Sequence, residues 1–135
     1  MLPTRSLTRP LVIALGLVAT LGLAGCAGTP DFELLRTEVA PEAPLSPTAD
    51  AELRVRLEAS DGSGTLAETS VSGLGGSPWP VVLQVDRRAL ERAGAARLHA
   101  ELREAGRVTH ASPEPVSPSE RDAEGVIELP LAPRR

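Results

Sequence analysis

Eight consecutive residues, Ala51-Glu52-Leu53-Arg54-Val55-Arg56-Leu57-Glu58, alternate without a break between apolar and charged side chains. A period of two is the repeat of a strand whose faces meet different surroundings. It puts Ala51, Leu53, Val55 and Leu57 on one face and Glu52, Arg54, Arg56 and Glu58 on the other. A helix would scatter the same four apolar residues around its circumference. The stretch is therefore a half-buried strand, and one strand is not stable without others beside it. Its charged face meets water and needs no ligand to explain it.

The remaining chain offers those neighbours. Ser60-Asp61-Gly62-Ser63-Gly64 is a turn, and Thr65–Val71 reads as a second strand. Ser72–Ser77 is a glycine-rich loop; no Lys follows it and no helix is signalled after it, so it is no phosphate cradle. Pro78–Asp86 is a clear strand, with Trp79, Val81, Leu83 and Val85 in one phase. Pro80 lacks an amide donor and places the start of this strand at an edge or a bulge. Glu104-Ala105-Gly106-Arg107 is a hairpin turn and Arg107–Ser112 a short strand. Pro113, Pro115 and Pro118 mark a loop through Asp122. Gly125–Leu131 closes the domain, with Ile127, Leu129 and Leu131 inward and Pro130 setting the strand at an edge or at its end. Before the first clear strand, Phe32–Val39 reads as a weak edge strand. Pro41, Pro44 and Pro47 make a lead-in that breaks regular structure.

Residues 87–105 support two readings. Arg87–Ala93 contains strong helix formers with Asp86 as a cap, and Ala95, Leu98, Leu102 and Ala105 extend a helical spacing. Yet Ala96, Leu98, Ala100 and Leu102 also alternate with Arg97, His99, Glu101 and Arg103, and Gly94 interrupts the helix.

The first 25 residues have a different character. Arg5 and Arg9 precede an apolar run, Leu11–Ala24, that ends in Leu23-Ala24-Gly25-Cys26. A basic head, a short apolar core and small residues at its end make an export signal. The core falls short of the ~20 residues of a comfortable membrane span. The four closing residues resemble a bacterial lipobox. That resemblance implies diacylglycerol on the Cys26 thiol, cleavage between Gly25 and Cys26, and an acyl chain on the new amine. Several chains hold a protein firmly, since two lipid signals already suffice. Ala27 and Gly28 follow, with no Asp to retain the protein at the inner membrane, so the expected location is the outer membrane, facing the periplasm. The expected organisation is a signal peptide (1–25), a lipidated tether (26–31) and one domain (32–135).

Removing residues 1–25 leaves 135 − 25 = 110 residues with 12 Arg and 18 acids, a formal charge of 12 − 18 = −6, and no Lys. An acidic surface without a basic stripe argues against nucleic acid as a partner. It also leaves membrane attachment to Cys26 rather than to anionic lipid. Cys26 is the only cysteine, so no disulfide staples the fold. Phe32 and Trp79 are the only aromatics, so the core is Leu, Val and Ala.

No catalytic constellation emerges. His99 and His110 are the only histidines, and a hairpin of 96–103 with 107–112 brings them to one outer face, where Glu101 completes a conceivable metal site. They lack tight ligand spacing, and scattered surface histidines are the simpler reading. No serine sits in a nucleophile elbow. The expectation is a protein that is not an enzyme and needs no cofactor or metal.

In order and spacing the chain resembles the YbaY/YscW-type lipoproteins, which include type III secretion lipoprotein chaperones, or pilotins. The matching pieces are Leu45-Ser46-Pro47, Ala51–Leu57, Leu66-Ala67-Glu68, Pro78–Asp86, Leu98-His99-Ala100-Glu101-Leu102 with Gly106-Arg107, Pro115-Val116 and Val126–Leu129. The chain departs from the family in lacking Tyr and in a shortened, Gly-rich stretch after Leu57. The resemblance favours a helical turn at 87–92 followed by a strand at 96–103. It implies an all-β fold: a small antiparallel β-sandwich of about seven short strands. It also implies a protein-binding module, pilotin-like in envelope or secretin assembly, whose partner is another envelope protein. The alternative is a periplasmic small-ligand-binding or hydrolase-inhibitor lipoprotein, which requires an apolar pocket near Trp79.

Overall fold

The computed structural model describes residues 31–135. In chain order they form β1 (Phe32–Pro41), β2 (Glu52–Ala59), β3 (Thr65–Ser72), β4 (Trp79–Asp86), the short helix α1 (Arg87–Ala93), β5 (Ala96–Glu104), β6 (Arg107–Ala111) and β7 (Val126–Pro133). The fold is all-β, as expected, with one short helix.

The strands run in the order β3-β2-β5-β6-β7-β1-β4 in one curled sheet. β6 and β7 pair only through His110 with Pro133 and Ala111 with Ala132. The sheet therefore has two leaves, β3-β2-β5-β6 and β7-β1-β4, sharing one core. The two ends of the order come alongside each other: the Thr69 hydroxyl of β3 donates to the Val82 carbonyl of β4 at 3.3 Å. This nearly closes the sheet. Every pairing is antiparallel except β1 with β7, which is parallel and departs from a purely antiparallel sandwich.

Inward residues alternate along each strand and meet in the middle. Leu35 and Val39, Leu53, Val55 and Leu57, Val81, Leu83 and Val85, Leu98, Ala100 and Leu102, and Ile127, Leu129 and Leu131 are all buried. Trp79 is the one aromatic among them, and its indole N–H donates to the Gly75 carbonyl at 2.8 Å. A buried indole needs such a partner, and the loop after β3 supplies it.

The contest at 87–105 resolves by burial. Asp86 caps α1 by accepting from the Arg88 amide, and Gly94, at φ 74°, ends the helix. From Ala96 onward a strand buries Ala96, Leu98, Ala100 and Leu102 together, which a helix continuing from α1 would not. The β5–β6 turn has φ of 49° at Ala105 and 76° at Gly106. Two successive positive values are the requirement of a type I′ hairpin.

Two edge assignments are corrected. β1 is not an edge strand: it lies between β7 and β4, pairing along most of its length with β4. Pro41 falls at its end, where the next amide, Glu42 N–H, donates to the Leu131 carbonyl at 2.9 Å. Pro130 is not on an edge either, because β7 lies between β6 and β1. In the parallel ladder Leu131, and not Pro130, carries the bonds to β1. The absent amide of Pro130 thus faces the side on which β6 reaches β7 only at residues 132–133. Pro80 is on a true end strand: β4 has one ladder neighbour. Pro80 shares its orientation with Val82, whose carbonyl points towards β3, so its missing donor costs no ladder bond.

Candidate functional site

Gly25 and Cys26, the expected cleavage and lipid-attachment residues, lie outside the described residues. Phe32 opens β1 six positions after Cys26. At ~3.3–3.6 Å per extended residue, no more than about 20 Å separates them.

The outer face of β3, β2 and β5 carries a ladder of charge. Cross-strand register puts Arg54 opposite Glu101, and Arg56 opposite both Glu68 and His99. Glu68 bridges the two arginines, 3.4 Å from Arg54 Nε and 3.2 Å from Arg56 Nε. Glu101 lies 3.7 Å from Arg56, 3.5 Å from Arg103 and 3.2 Å from His99 Nε2. Its side chain is only 13% exposed. Burial pushes the Glu101 carboxyl up, but the His99 hydrogen bond and the Arg56, His99 and Arg103 charges outweigh it and hold the group below its ordinary value. Glu68 and Glu101 each lie against more than one cation, so the ladder organises this outer face. The sequence showed Arg54 and Arg56 on an outward face and His99 and Glu101 in the polar phase of 96–103; the place of Glu68 and the pairing needed the strand order β3-β2-β5.

The structure does not bring the two histidines together. His99 lies on this outer face, opposite Arg56. His110 lies opposite Leu102, a fully buried residue, and its Nδ1 is 3.0 Å from the Thr109 hydroxyl. Among the described residues no three His, Cys, Asp or Glu side chains are placed to hold a metal.

The concavities are shallow. One of about 210 Å³ is lined by Glu58, Ser60, Arg97, His99 and Pro115. Another lies between Glu42, Pro113, Glu114 and Pro130, over the gap that β6 leaves beside β7. Trp79 is 4% exposed and fills the core.

Apolar exposure is concentrated elsewhere. Phe32, Leu34 and Val82 are 51%, 61% and 50% exposed. Leu34 faces Gln84 across the β1–β4 ladder, so Val82 is its diagonal neighbour on the same face. Sequence reading missed this patch because it took Phe32–Val39 as a weak edge strand and assigned its apolar residues to neither face.

No protein-family model matches the chain, and no curated protein does. Among solved structures the chain is similar to an alternative pilotin from the type II secretion system of Vibrio cholerae. The likeness has a TM-score of 0.66 at 14% identity and covers 78% of this chain and 99% of that one. At that identity what is shared is architecture: the seven-stranded domain has the fold of that pilotin.

Proposed function

We propose that this chain is a pilotin-like lipoprotein: a protein-binding module, not an enzyme, that escorts an envelope protein, a secretin subunit in the leading form of the idea. In this reading Cys26 carries the lipid and the domain faces the periplasm from the outer membrane. The observation that carries it is the fold shared with a secretion-system pilotin over nearly all of that protein's length. The lipobox at Leu23–Cys26 and the resemblance to the YbaY/YscW-type lipoproteins support it from the sequence side. The paired charges and shallow concavities accord with a surface that binds protein. The test is a titration of the full chain against a purified secretin subunit from the same cell. Saturable binding is expected; no binding, with the subunit shown to be folded, overturns the escort role.

A further inference from the structure

Phe32 and Leu34 sit on the outer face of β1, at the end of the domain nearest Cys26, and Val82 extends the same patch on β4. Exposed large apolar side chains gathered in one place mark an interaction surface. Beside them stands α1: Phe32 pairs with Asp86, the cap of α1, and the Arg87 amide donates to the Asp31 carbonyl at 2.8 Å. α1 adds three exposed arginines, Arg87, Arg88 and Arg92. Arg87 reaches Asp31 and Glu33 at 3.9 and 4.0 Å; Arg88 and Arg92 form no ion pair among the described residues. A chain that is acidic as a whole thus has one pole where apolar side chains and unpaired arginines stand together.

We propose that this pole is a membrane-seating surface, in which Phe32, Leu34 and Val82 enter the headgroup region of the phospholipid leaflet that holds the lipid anchor, with Arg88 and Arg92 against anionic headgroups. The inference rests on the anchor reading of Cys26. What selects the bilayer as occupant is reach: six residues span no more than about 20 Å, so an anchored Cys26 holds this pole, and no other, close to the lipid. Apolar side chains with flanking cations are the composition that partitions to an anionic interface. Seating here turns the opposite pole, with the β5–β6 turn at Ala105–Gly106 and the Asp50 carboxylate that accepts from it, towards the periplasm.

The test uses the full lipidated chain reconstituted into vesicles of phosphatidylethanolamine and phosphatidylglycerol, with and without brominated acyl chains. Phe32→Trp places a reporter in the patch. Trp79, buried at the other end of β4, is the internal reference for folding, and Arg107→Trp, at an exposed position beside the β5–β6 turn, is a reporter at the far pole. The expected result is a blue-shifted, bromine-quenched emission from the Phe32→Trp variant, with Trp79 and the Arg107→Trp reporter unquenched. Protein that floats with the vesicles but shows no quenching at position 32, or equal quenching at position 107, overturns the seating and leaves the anchor standing. Protein that does not float overturns both.

Discussion

The hydroxyl of Thr37, buried in the core, donates to the Val81 carbonyl at 2.8 Å across the β1–β4 ladder. A polar side chain is tolerated there because its hydrogen bond is satisfied within the pair. Thr37→Val keeps the shape and removes the donor, and is expected to change stability by no more than ~1 kcal/mol in a urea titration. Thr37→Asp buries an unpaired charge and is expected to leave no folded protein by circular dichroism.

The same residue explains why β1 was hard to place from sequence. Its buried set is Leu35, Thr37 and Val39, while the apolar Phe32 and Leu34 face out. Polar inside and apolar outside both blur the period-two signal, so a central strand reads as a weak edge. β2 and β4 have no such inversion and were legible to within a residue or two. β5 was legible as one of two readings, since alternation and helix formers coincide over 96–104. The parallel pairing of β1 with β7 joins residues some ninety positions apart, Arg36 with Val126 for one, and nothing local in either strand announces it. The charge ladder was half legible: Arg54, Arg56 and Glu101 were visible as outward residues, but their partners depend on strand order.

Leu129 is fully buried on β7, in register with Val39 of β1. Leu129→Ala is expected to cost ~2–5 kcal/mol through lost burial and a residual cavity. Against a typical total of ~5–15 kcal/mol and with no disulfide in the domain, this is a large share. Chemical denaturation measures it; a loss below 1 kcal/mol, on the order of an exposed-site change, would contradict the packing described for β7.

Ala105 holds φ 49° in the β5–β6 turn, a conformation costly for a residue with a Cβ and no side-chain compensation. Its backbone N–H donates to Asp50 Oδ2 at 3.0 Å, a hydrogen bond that survives substitution. Ala105→Asn supplies the residue that type I′ turns prefer and is expected to stabilise the domain by ~1 kcal/mol. A drop in thermal midpoint would show that the turn has a different geometry.

Glu101 titrates below its ordinary value of about 4.5 in the folded domain, so folding favours its charged form. Its contribution to stability is present above that ordinary value and is lost as pH falls through the lower, folded one. Wild type is therefore expected to lose thermal stability more steeply than Glu101→Gln as pH falls below the ordinary value of about 4.5. Parallel profiles for the two proteins would mean that Arg56, His99 and Arg103 do not hold the carboxylate as described.

Escort to the outer membrane is tested most directly by where the secretin goes. Cell envelopes are separated by density in strains carrying the wild-type chain, Cys26→Ser or no chain, and secretin multimers are followed by immunoblot. Multimers are expected in the outer-membrane fractions with wild type, and are expected to stay in the inner-membrane fractions with Cys26→Ser and with no chain. An unchanged secretin distribution in all three strains would contradict the escort role.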